Sequence, residues 1–159
     1  MTAATPIPNA GVRFPPPLTY AVGLVVGWII QHTWPLSLPA SWAAIRPILA
    51  AVFIVAWFAL MLWAFASFRR AHTAIIPHRP ATSIVTYGPY RITRNPMYVS
   101  MTSVYIGLTL MMNSWWPFIF MPIVLVIIRL FVIAREERYL TNAFPVEYPA
   151  YCQRVRRWL

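Results

Sequence analysis

The stretch Ile48 to Phe68, ILAAVFIVAWFALMLWAFASF, runs 21 residues without a charge and decides the fold. At about 1.5 Å per residue, a helix of that length crosses the hydrocarbon core of a bilayer. Arg46-Pro47 opens the run and Arg69-Arg70 stops it. The whole composition agrees, with 60% hydrophobic residues, 10% charged residues and a mean hydropathy of +0.61. These values exceed the apolar share of soluble domains, so the chain reads as an all-α integral membrane protein.

Working outward from that span, Leu18 to Trp34 forms an earlier apolar run, closed by Pro35 and Pro39. No positive side chain precedes Arg13, so this run reads as a retained span and not as a signal peptide. Residues 1–17 hold Pro6, Pro8, Pro15, Pro16 and Pro17, which predicts a loose tail ahead of a single membrane domain over 18–159. Residues 71–97 form a polar connection punctuated by Pro77, Pro80, Gly88-Pro89 and Pro96, too long to be idle by default.

Tyr98 to Ala134 is mostly apolar over 37 residues and breaks at Asn113-Ser114 and Pro117. It reads as two antiparallel helices, the first reaching only about 22 Å. Trp115 and Trp116 at the turn suit a membrane interface. The expected spans are therefore about 18–34, 48–68, 98–112 and 115–134. Beyond them the charged sequence from Arg135 predicts a cytoplasmic helical extension ended by Pro145. A short helix over about Val146 to Val155 follows, resting Arg154, Arg156 and Arg157 at the headgroups.

The net charge of +10 comes from thirteen arginines and no lysine. In a four-span arrangement eleven of them fall on one side, Arg46 falls opposite and Arg129 lies inside span four. That bias places both termini and the 71–97 loop in the cytoplasm, as in a bacterial inner membrane. It also accounts for the basic charge without nucleic acid, since no stretch of interleaved aromatics and charge lies outside the apolar segments. Cys152 is the only cysteine, which rules out an internal disulfide, and it stands too far from the end for a prenylation signal. His32, His72 and His78, with no aspartate, offer no ligand spacing for a metal. Five scattered glycines at 11, 23, 27, 88 and 107 make no phosphate-binding loop, and no histidine has a carboxylate partner for a serine nucleophile.

Glu136, Glu137 and Glu147 are the only carboxylates, and two of them sit together in Arg135-Glu136-Glu137-Arg138. A second polar island, Gly88 to Tyr98, opens the preceding apolar run. Both islands should meet at one membrane face, where cations and anions together suit a zwitterionic ligand. Asn95-Pro96 suits a helix start, with asparagine capping and proline first, and that N-terminus beside Arg91 and Arg94 favours an anion. Glu136 lies seven positions after Arg129, which in a regular helix puts both on one face as the wall of a pocket. The alternative is that Arg129 snorkels to the headgroups.

The run Gly88-Pro89-Tyr90-Arg91-Ile92-Thr93-Arg94-Asn95-Pro96-Met97-Tyr98, an apolar hairpin, then Arg135-Glu136-Glu137-Arg138-Tyr139-Leu140 and Glu147-Tyr148-Pro149-Ala150-Tyr151 resembles the isoprenylcysteine carboxyl methyltransferase family. The resemblance covers roughly residues 67–159. It implies an integral membrane enzyme that uses S-adenosylmethionine, with the cofactor pocket in that half at the cytoplasmic side. Arg94, Asn95, Pro96, Met97 and Tyr98 match the family's R-H-P-x-Y element, with asparagine where eukaryotic members have histidine, a departure shared by many bacterial relatives. Glu136 and Glu137 match the paired-glutamate element. Thr82, Ser83, Ile84, Val85 and Tyr90 match further cofactor-lining positions.

On this reading an arginine grips the cofactor's carboxylate, Glu136 or Glu137 holds its ammonium, and Tyr90 and Tyr98 face the sulfonium or adenine. A carboxylate acceptor, already ionised near neutral pH at a reference pKa of about 4, needs no general base, and Arg129 or Arg135 is expected to orient it as the catalytic cation. The acceptor is expected to be lipophilic and to enter from the membrane lipid, a prenylcysteine-like carboxylate being the family's own. Two other readings remain open: a non-catalytic protein whose arginines bind anionic lipid, and a sterol-reductase-like oxidoreductase of similar membrane architecture.

Overall fold

The computed structural model describes Gly11, residues 15–71 and residues 82–159. Pro6, Pro8, Arg13, His72, Pro77, His78, Arg79 and Pro80, on which parts of the sequence reading rest, lie outside the described residues. The elements are α1 (Pro16–Thr33), α2 (Arg46–Arg70), α3 (Pro96–Met112), α4 (Trp116–Ile127), α5 (Ala134–Ala143) and α6 (Glu147–Arg154). Short 3-10 turns at Ala40–Trp42 and Gly88–Arg91 precede α2 and α3, and a π-helical turn at Ile128–Ile133 joins α4 to α5. No strand occurs among the described residues, and one isolated bridge pairs Thr93 with Arg156.

Two helices are long and apolar enough to cross a membrane, α2 with 25 residues and the continuous Trp116–Ala143 with 28. Four such spans were expected. α3 has 17 residues, and α1 spends its last turn on Gln31, His32 and Thr33. α1 also begins earlier than expected, because Pro16 and Pro17 occupy its first turn, where a missing N–H costs nothing.

The helices run alternately up and down, α2 packing mainly on α3 and α1 on α4. Their outer faces are apolar: Val52, Val55, Phe58 and Leu62 of α2 and Ile119, Ile123 and Val126 of α4 point outward, Val55 being 66% exposed. The inner faces carry hydroxyls instead. Ser100, Thr109 and Ser114 are fully buried. Such an inverted distribution suits lipid as the solvent, provided the buried polar groups are satisfied internally. Among the described residues all but Arg94 Nε and Asn113 Oδ1 are. Tyr105 donates to the Pro117 carbonyl at 2.7 Å, Thr109 to the Tyr105 carbonyl at 2.7 Å and Ser103 across to the Phe53 carbonyl at 2.8 Å. At the end of the bundle bearing Arg46, Ser114 donates to Gln31 at 2.8 Å and Trp116 Nε1 to the Trp34 carbonyl at 2.7 Å. The α3–α4 turn closes on Asn113, in the left-handed conformation at φ 52°.

Gly23 and Gly27, four residues apart on α1, form a small-residue seam against α4 that sequence inspection passed over. A Cβ at Gly27 would lie 2.7–2.9 Å from the Pro117 ring and nitrogen, neither of which can rotate away. Gly27→Ala should therefore destabilise the bundle by about 1–3 kcal/mol. Thermal unfolding of the purified protein in detergent reads this directly, and an unchanged midpoint would contradict the close approach.

Candidate functional site

The loop leading into α3 is pinned to the inner end of α2 by its own residues. Gly88, at φ +65°, turns where a Cβ would collide with the Ser67 hydroxyl, and the Tyr87 hydroxyl donates to the Ser67 carbonyl at 2.9 Å. Tyr90 then lies edge-on to Phe68 with ring centroids 5.4 Å apart. Asn95 precedes α3 as expected, but its side chain makes no capping bond; its amide instead donates to the Arg157 carbonyl at 2.8 Å. The segment after α6 folds back to meet it. Arg94 donates its backbone N–H to the Arg156 carbonyl at 2.9 Å, and Thr93 donates its hydroxyl to the Arg157 carbonyl at 3.1 Å.

Glu137 fastens this junction. Arg157 donates to both of its oxygens, at 2.9 and 2.7 Å, and Arg94 approaches within 3.2 Å. Arg157 is thus committed to an ion pair and not to the headgroups as the sequence suggested. The hydrogen bond from its guanidinium to the Glu137 carboxylate holds it above its ordinary pKa.

Below the junction lies a cavity of about 550 Å³. Its polar wall carries Arg94, Asn95, Glu136 and Glu137. Ser83, Ile84, Val85, Tyr90, Pro96, Met97 and Tyr98 complete the loop side, so of the twelve positions expected at a cofactor only Thr82 does not line it. Asn95 and Glu136, 41 positions apart in sequence, share this one space.

The two glutamates are not equivalent. Glu137 has two arginines, whereas Glu136 makes no salt bridge among the described residues and accepts only the Tyr98 hydroxyl, at 2.8 Å. Arg94 also has spare capacity. Its Nη1 donates to Cys152 Sγ at 2.8 Å, while its buried Nε has no partner. An acid with no salt bridge among the described residues, the Arg94 guanidinium and the N-terminus of α3 therefore line one cavity. Burial pushes the hydroxyls of Tyr90, Tyr148 and Tyr151 above the ordinary phenol value, so all three stay neutral, and Tyr151 donates to the Tyr90 carbonyl at 2.7 Å.

Both expected catalytic arginines lie elsewhere. Arg135 does not line this cavity and donates to the Gly11 carbonyl at 2.8 Å. Arg129 lines a second cavity and not the first, because the π turn at Ile128–Ile133 interposes wider turns between it and Glu136 and breaks the 3.6-residue phase. Arg91 is exposed. Sequence reading also missed the α2 wall, Trp57, Met61, Phe65 and Phe68. These share a face at spacings of four, four and three, but α2 is apolar all round, so no periodic contrast marks them. Pro16, Pro17, Tyr139, Leu140, Tyr148 and Tyr151 close the remainder.

A family model described as "Phospholipid methyltransferase" matches residues 45–147. An uncharacterized protein of Haemophilus influenzae is 40% identical over 63 residues, which is 40% of this chain and the full length of that protein. No solved structure matches. The matched region runs from the start of α2 to the start of α6 and contains both polar islands. The chain is therefore a membrane protein of the phospholipid methyltransferase family, which includes the isoprenylcysteine carboxyl methyltransferase-like proteins.

Proposed function

We propose that this protein is a four-span methyltransferase with both termini cytoplasmic, taking S-adenosylmethionine from the cytoplasm and a lipophilic acceptor from the bilayer. One observation carries the reading: Glu136, which makes no salt bridge among the described residues, lines the same cavity as Arg94 and the N-terminus of α3. Methyltransferases of this family generally use S-adenosylmethionine, and the donor set suits that molecule, which carries a carboxylate, an ammonium and a sulfonium. Arg94 and the N-terminus of α3 would receive the carboxylate. Glu136 would receive the ammonium, and the ring faces of Tyr90, Tyr98 and Phe68 would receive the sulfonium and adenine. When bound, the cofactor supplies an electrophilic methyl group.

The residues of the chain then have two tasks, alignment and exclusion of water. Tyr98 fixes the Glu136 carboxylate, and the apolar wall of α2 keeps the cavity dry. His32 donates its Nδ1–H to the Trp28 carbonyl at 2.8 Å near the far end of α1, and among the described residues no histidine lines the cavity. An acceptor already ionised, such as a prenylcysteine-like carboxylate, would need no base, whereas an amine or hydroxyl would have to give its proton to Glu136. Support for the four-span arrangement comes from the alternating helices and from the described arginines, which apart from Arg46 and Arg129 lie on the segments at the cavity end of the bundle.

Titration calorimetry in nanodiscs should detect S-adenosylmethionine binding to the wild type, and Glu136→Gln should weaken it roughly ten-fold or more. Wild-type protein with no affinity, or Glu136→Gln binding as tightly as wild type, would remove the basis of the proposal. Stability should respond in the opposite order. Glu137→Gln leaves Arg94 and Arg157 without their acid and should cost about 2–3 kcal/mol, whereas Glu136→Gln should cost under about 1 kcal/mol. Thermal unfolding of both variants without ligand checks this ranking.

A further inference from the structure

We propose that the second cavity, on the lipid-facing side of α2, α3 and α4, binds an anionic phospholipid whose headgroup is held by Arg129. The cavity measures about 680 Å³, within the roughly 300–1,000 Å³ typical of small-molecule sites. Its length is mainly apolar, with Thr102 and Ser103 midway along the α3 wall. Phe53 and Leu60 mark its extent on α2, and Val99 and Ile106 mark it on α3, about 10 Å apart along each helix.

Polarity is graded along that length. Ser103 bonds the Phe53 carbonyl and Ser100 approaches Met61, so Ile106 and Phe53 share the deep end while Val99 and Leu60 share the other. Val124 and Tyr105 meet at Gly23, which brings Arg129, five residues past Val124 in the π-helical turn, level with the first turns of α3. A cation therefore stands at one end of an apolar trough, the pattern of an amphiphile. Arg129 makes no salt bridge among the described residues and lies on an apolar outer surface with Val126 and Leu130. A guanidinium at that depth requires an anionic partner, and the surrounding lipid is the available source.

The charge of the partner follows from what the cavity lacks. Among the described residues Arg129 is the one charged side chain lining it, whereas Glu136 and Glu137 line the other cavity, which favours an anionic headgroup here over a zwitterionic one. Trp158 forms part of the wall, and its neighbour Arg157 grips Glu137. The occupant thus rests against the same segment that fastens the polar junction.

The test compares melting temperatures of the purified protein in neutral detergent after adding phosphatidylglycerol, phosphatidylcholine or inorganic phosphate, with native mass spectrometry giving lipid affinity. Phosphatidylglycerol should stabilise the wild type more than phosphatidylcholine, and phosphate alone should do nothing. Arg129→Gln, on an exposed surface, should bind phosphatidylglycerol roughly ten-fold more weakly and erase the preference. Ala56→Trp fills the trough and should remove the response to both lipids. Equal responses to the two lipids, Arg129→Gln behaving as wild type, or phosphate reproducing the shift would overturn the headgroup assignment. Retention of both lipids by Ala56→Trp would overturn the placement of the chain. Cofactor affinity, measured separately on the wild-type preparation, bears only on the methyltransferase reading, so the two can fail independently.

Discussion

The carboxylate of Glu137 is the interaction on which the polar end of the bundle depends. It draws Arg94 from the loop before α3 and Arg157 from the segment after α6 onto one helix turn, at 3.2 and 2.7 Å. Once both are committed there, Glu136 one position earlier is left, among the described residues, with a neutral hydroxyl as its partner. The inequality of two adjacent glutamates is what makes the cavity chemically specific. One acid builds the wall and the other faces the space.

A second constraint is the solvent. In lipid, apolar burial no longer drives helices together, so close approach and internal hydrogen bonds must do so. Gly23 and Gly27 bring α1 against α4, Gly107 brings α3 against α2, and buried hydroxyls from Tyr105, Thr109 and Ser103 each reach a carbonyl. This packing sets the two cavities on opposite flanks of α3. Trp57 and Met61 face one, while Phe53 and Leu60 face the other.

Much of this was legible in the chain. Charge-free runs located the helices, and the Gly88 to Tyr98 and Arg135 to Leu140 islands located residues that meet in one cavity, since few polar residues in an apolar chain have few places to go. The errors are equally specific. Asn95 was read as a capping side chain, but the Arg157 carbonyl competes for its amide. Arg129 was paired with Glu136 by counting regular turns, and a π turn lies between them. Pro16 and Pro17 were assigned to a tail because proline breaks helices, yet at a first turn it starts one.

Hydropathy and charge are properties of local sequence, and they alone determined that the chain is helical, belongs in a membrane and concentrates its polar chemistry in two islands. Which arginine pairs with which acid, which face of the uniformly apolar α2 lines the cavity, and that Glu136 stands unpaired were decided only by the tertiary structure. Those outcomes depend on contacts between segments far apart in sequence, 64 residues for Thr93 and Arg157, and distance in sequence carries no information about which partner will capture a given hydrogen bond.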